Sequence, residues 1–193
     1  MNRIPARTWC RRIVIAIAAI VTTAALSTPA RAQETISKED AAAMKAAFLA
    51  DLEVVKGKFV QLAGAFPDDK MAWRPMEGVR SVAEVLALVA SEFNGFVPTG
   101  LGGKAGLSRE EMQAISKSTN KAELIAAINK AFDHTKAQFA AIDPATLTGK
   151  RAVMGQQRSL NEIALMIGGD LHEHLGQLIA YARTNRVVPP WSK

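Results

Sequence analysis

The sequence predicts an all-α protein, an antiparallel four-helix bundle with one short extra helix in a long connection. Three observations predict it. Four apolar stripes step by three and four residues, serine-led or asparagine-led helix starts stand in front of them, and no stretch alternates strictly enough to demand a strand.

The first stripe is Met44, Phe48, Leu52, Val55, Phe59, Leu62 and Phe66. It follows "SKED" from Ser37, whose acids fall in a first turn, where the helix dipole favours them. The second stripe, Val82, Val85, Leu86, Val89, Phe93 and Phe96, follows "SVAE" from Ser81. This is a capping box: the serine oxygen accepts from the third helical N–H and the glutamate reaches back to the N–H of the serine. "SREE" from Ser108 repeats the pattern and opens the short helix, near residues 108 to 116. "NKAE" from Asn120 opens the third stripe, Leu124, Ile128, Ala131, Thr135, Phe139 and Ile142. "SLNE" from Ser159 opens the fourth, Leu160, Ile163, Ala164, Ile167, Leu171, His174, Leu178 and Tyr181. One stripe per helix leaves one face to bury, and four such helices bury them against one another.

The connections are longer than a minimal bundle needs: "PDDKMAWRPMEGVR", "PTGLGGKAG" and "DPATLTGKRAVMGQQR". The tail "RVVPPWSK" leaves the last helix before Pro189, and Trp191 is expected to pack back onto the core.

Residues 1–32 read as a signal peptide: basic "RTWCRR", apolar "IVIAIAAIVTTAAL", then "STPARA" with cleavage after Ala32. The apolar run is shorter than the roughly 20 residues of a spanning helix, so the expectation is a periplasmic or secreted protein with no stable membrane anchor. The exported domain is then 33–193, 161 residues with one core. The segment carries five arginines and no acid, so its removal takes the chain from 24 basic and 18 acidic residues to 19 and 18. The basic balance therefore gives no reason to expect a nucleic-acid partner. Cys10 leaves with the segment, which excludes disulfide and thiolate chemistry and, with no lipobox before it, a lipid anchor.

The densest chemistry lies in "GGDLHEHLGQ", residues 168–177. His172 and His174 are two apart and point about 160° away from each other, unlike the four-apart histidines of a zinc-protease helix. Asp170 and His174 are four apart, about 40° around the helix, and share a face.

Three stretches, "FPDDKMAWRPMEGVRSVAEVLALVA", "HEHLGQLIAYAR" and "VVPPWS", resemble the DinB-like domains, a family of bacterial four-helix bundles. With the helix order, the resemblance covers nearly all of residues 37–193. It implies a divalent metal, commonly zinc or nickel, held by one histidine on the second helix and two, four apart, on the last. It also implies thiol-transferase or hydrolase chemistry in some relatives, and a homodimer through a helical face. Carried over residue by residue, the ligand positions are Leu88, Asp170 and His174, so only one histidine is kept.

A carboxylate at Asp170 is a legitimate ligand for zinc or manganese, whereas Leu88 ligates nothing. Glu92, one turn beyond Leu88, is either a replacement ligand or, as isolated helix acids commonly are, simply solvated. His174 is either a ligand or a buried imidazole hydrogen-bonded to Asp170. His172 is expected on the solvent side, and His134 carries no functional expectation. Gly168 and Gly169 imply a kink, a close helix contact or open space beside Asp170. Leu88, Gln177 and Tyr181 are expected to line one pocket, and Arg74 or Arg80 either binds an anion or pairs with an acid of the fold.

The favoured expectation is a non-catalytic binding or structural protein whose metal centre is degenerate and empty of zinc, nickel or manganese. Its rival is a metal-dependent hydrolase or thiol transferase using His174, Asp170 and a third ligand. A small-molecule ligand in a cavity emptied of the metal is the third.

Overall fold

Each predicted stripe, apart from the terminal residues Phe66, Phe96 and Ile142, falls within one helix of the computed structural model, which describes residues 35–192. The segment read as a signal peptide lies outside the described residues. Helix α1 spans Lys38–Ala65, α2 Val82–Asn94, α3 Phe96–Gly100, α4 Arg109–Lys117, α5 Lys121–Ala140 and α6 Leu160–Thr184; strands β1 (Arg151–Val153) and β2 (Gln156–Arg158) pair between α5 and α6. The described protein is therefore mostly helical. None of these helices is long and apolar enough to cross a membrane.

The capping boxes start the helices as written. At α2, the Ser81 N–H donates to Glu84 Oε2 at 2.7 Å while Ser81 Oγ accepts from the Glu84 N–H at 3.2 Å. The same reciprocal pair stands at Ser108 with Glu111 and at Ser159 with Glu162. The backbone N–H of the capping serine, donating to the carboxylate, holds each of these three glutamates below the ordinary carboxylate range. Asn120 caps α5, its side chain accepting from the N–H groups of Ala122 and Glu123.

Helix α2 packs on α5 and α6, and α1 packs on the same two. At the α2–α5 contact the rings of Phe93 and Phe132 stack with centroids 4.2 Å apart, and Thr135 Oγ1 donates to the Phe93 carbonyl at 2.5 Å. Phe48 of α1 meets Phe139 of α5 edge to face at 5.8 Å. The last helix closes with Arg186 in the left-handed region (φ 60°). The Val187 N–H returns to the Ala182 carbonyl at 2.8 Å and the Arg186 N–H to that of Arg183 at 3.0 Å. This is a Schellman closure with arginine where glycine is usual. Beyond it Trp191 packs against the core, with the Lys58 ammonium 6.0 Å from its ring, as the tail predicts.

The structure corrects the reading of the chain in two places. Helix α2 ends at Asn94, because Gly95 (φ −123°, ψ −75°) leaves the helical region; Phe96, placed on the second stripe, starts α3 and is 40% exposed. The connection before α6, expected to lack strands, carries the β1–β2 hairpin. Its two-residue turn, Met154 (φ 51°) and Gly155 (φ 74°), has both central residues at positive φ, the form that matches the twist of a tight hairpin. Three residues per strand are too few to show alternation.

Candidate metal centre

Two helices supply the cluster. Glu92 stands on the flank of α2 that turns away from the Phe93–Phe132 stack, and Asp170 and His174 stand one turn apart on α6. One ligand atom from each of these three residues lies within 4.8 Å of the other two. His174 Nε2 is 3.9 Å from Glu92 Oε2 and 3.7 Å from Asp170 Oδ1.

Neither distance is a hydrogen bond. The buried imidazole bonded to Asp170 is therefore not what forms: His174 Nε2 faces both carboxylates without bonding either, and its Nδ1 is buried with no partner among the described residues. The expectation of a solvated Glu92 is also overturned. Its side chain is one-quarter exposed, and Oε2 is fully buried and unpartnered. The carboxyl is pushed up to about 7, first by burial and then by the neighbouring Asp170 carboxylate, against smaller opposing effects of His174 and Arg80. Its surroundings are set by what α6 brings opposite, which periodicity along α2 does not encode.

The glycines open space. A Cβ built on Gly168 or Gly169 meets no atom within 4 Å, and α6 runs through both as one helix. Among the described residues the glycines thus face open space and not a close helix contact. Asp170 also lines a cavity of about 430 Å³, together with Glu92, Phe96, Met154, Met166 and Ile167.

The remaining predicted residues fall elsewhere. Leu88 lines a different cavity, of about 560 Å³, together with Arg74, Arg80 and Glu84. Gln177 Nε2 donates to the Tyr181 hydroxyl at 2.8 Å, which donates to the Arg80 carbonyl at 3.0 Å. With Trp73 edge-on to Tyr181 at 5.3 Å, this chain ties α6 to the first connection. Arg74 pairs with Glu84 at 3.0 Å and donates to the Val79 carbonyl. His172 is half exposed, 3.4 Å from Asp51 Oδ2 across the α1–α6 contact. His134 Nε2 lies 2.7 Å from the Lys104 carbonyl, where it holds the loop before α4.

The family model described as the DinB superfamily matches residues 51–178, which include every residue of the cluster. The chain belongs to the DinB superfamily. No curated protein matched it in a sequence search. DinB-superfamily proteins commonly hold a divalent ion on three histidines, so the donor set present here is tested against such an ion. A tetrahedral zinc with bonds of about 2.0–2.2 Å spaces its donors about 3.4 Å apart. The two separations from His174, 3.7 and 3.9 Å, contract by a few tenths of an ångström on such an ion, and the two carboxylates, within 4.8 Å of each other, draw together as well. One imidazole nitrogen with two carboxylate oxygens suits zinc or manganese, and the buried Glu92 Oε2 is a donor with no hydrogen-bond partner among the described residues. The residues fit a divalent ion, with Glu92 in place of a ligand at Leu88.

Proposed function

We propose that this DinB-superfamily protein is an exported antiparallel four-helix bundle that holds one divalent cation, zinc or manganese, on Glu92, Asp170 and His174, and binds a small molecule beside it. The convergence of those three donors within 4.8 Å carries the reading. The site then departs from the family in ligand identity and not in ligand number, since Glu92 stands one turn along α2 from Leu88. Three protein ligands are the number that leaves a position free for a substrate. An ion there supplies Lewis-acid polarisation of a bound oxygen or sulfur. Glu92 and Asp170 hold negative charge against it, and His174 fixes the α6 side of the site through Nε2. The helix arrangement rests on α1 and α2 each packing on both α5 and α6, and export rests on the signal-like segment ending at Ala32.

A second reading, a metal-free binding role, is favoured by one observation. The buried His174 Nδ1 lacks the outer partner that orients most metal-bound imidazoles.

Metal analysis of protein purified without a histidine tag separates the two. The expected result is about one equivalent of zinc or manganese per chain, lost in both His174→Ala and Glu92→Gln. Absence of metal from the folded wild type selects the second reading, and retention of metal in Glu92→Gln overturns Glu92 as a ligand. Export is checked by the mass of the periplasmic form, expected to begin at Gln33.

A further inference from the structure

The lining of the cavity beside the cluster has two parts of opposite character. Phe96, Val97, Met154, Met166 and Ile167 are apolar, Glu92 and Asp170 are acidic, and among the described residues no lysine or arginine lines it. Its volume of about 430 Å³ lies in the range of small-molecule sites.

Charge decides what such a cavity accepts. Three neutral imidazoles around a divalent ion leave two positive charges, which attract an anion such as a thiolate. Two carboxylates and one neutral imidazole around the same ion leave none. A charged ligand entering this cavity would give up hydration to apolar walls with no net charge to compensate it. We infer that the cavity takes an uncharged, largely apolar small molecule that offers one neutral oxygen or nitrogen to the ion, and that Met154 is a specificity-determining wall for it. The inference rests on the reading of Glu92, Asp170 and His174 as a metal site.

Met154 is singled out by its backbone. It occupies a left-handed position of a two-residue hairpin turn, where asparagine, aspartate or glycine is favoured and a longer side chain is strained. It is also 71% exposed, so the core gains little from it. Its place in the cavity wall is the contribution left to it. A thioether chain there adapts to ligands of differing shape, as does that of Met166 across the same space.

The test uses two dyes that share one ring system, neutral N-phenyl-1-naphthylamine and its sulfonated counterpart 1-anilinonaphthalene-8-sulfonate. Each is titrated by fluorescence into zinc-loaded full-length exported protein whose metal content is measured in the same sample. The neutral dye is expected to bind at least about tenfold more tightly than the anionic one. Met154→Asn is expected to weaken the neutral dye at least about fivefold while raising the thermal midpoint, because asparagine suits the turn. Phe96→Ala, at an exposed position of α3, is expected to weaken it as well. Equal binding of the two dyes, no binding of the neutral dye, or unchanged affinity in both variants overturns the inference and leaves the metal reading standing if zinc is stoichiometric. A fall in the midpoint of Met154→Asn overturns the assignment of Met154. Wild-type protein that holds no zinc overturns the metal reading and this inference together.

Discussion

Helix α2 packs on both α5 and α6, and its contacts with these two differ in kind. Toward α5 it presents Phe93, stacked on Phe132, with its carbonyl satisfied by the Thr135 hydroxyl. Toward α6 it presents Glu92, opposite a histidine and an aspartate that it does not hydrogen-bond, beside a stretch of α6 built on two glycines. The first contact stabilises the fold by burying rings and satisfying the backbone. The second costs stability twice, through unpaired polar atoms and through helix-weakening glycines. Adjacent residues of one helix thus divide the work between holding the fold and leaving a site open in it.

The largest expected effect breaks the α5 side. Phe93→Ala removes a fully buried ring and is expected to cost about 3–5 kcal/mol in urea unfolding. Metal content per folded molecule should stay unchanged, since the cluster lies on the other flank.

Glu92→Gln sharpens the α6 side through pH. The folded carboxyl stands near 7 against an ordinary 4.5, so folding favours its protonated form. The stability this group contributes is present below pH 4.5 and is lost as pH rises toward 7. Glutamine imitates the protonated carboxyl. In chelated protein it is expected to leave stability unchanged at pH 4 and to raise it by about 1–3 kcal/mol at pH 8. Added zinc should reverse the order at pH 8, because only the wild type gains an ion. A pH-independent difference in urea midpoints would place Glu92 in water.

An effect no larger than that of Glu92→Gln concerns the glycines. Gly168→Ala with Gly169→Ala is expected to stabilise the chelated protein by about 2 kcal/mol, since alanine is the better helix former and each Cβ has room. A loss of stability would mean that the backbone there needs glycine after all.

The parts of the molecule that depend on neighbours in sequence could be read from it. A capping box spans four residues, and Ser81, Ser108 and Ser159 cap as their patterns require. The stripes follow from helical period, and Asp170 with His174 follows from a spacing of four. Glu92 is different. Its burial depends on α6, far along the chain, and within α2 alone it resembles a solvated acid. The resemblance puts the α2 ligand position at Leu88, and the acid that joins the cluster is Glu92, one turn along, which the sequence offered only as one of two alternatives. The hairpin escaped notice because its turn puts methionine where asparagine announces such turns, and α3 because Phe96 continues the spacing of a helix that Gly95 has already ended.

Helix α6 is anchored at both ends. The capping box at Ser159 fixes its start, and the Arg186 closure with Trp191 laid back on the core fixes its finish. The glycines and two of the three cluster residues lie between those anchors. Mechanically it is a beam clamped at both ends with its compliant span in the middle. Strain applied at Asp170 and His174 is absorbed by bowing of that span and not by fraying of the termini. An adjustment of the donors on α6 thus asks for flexure of the span between the anchors, with both supports left in place.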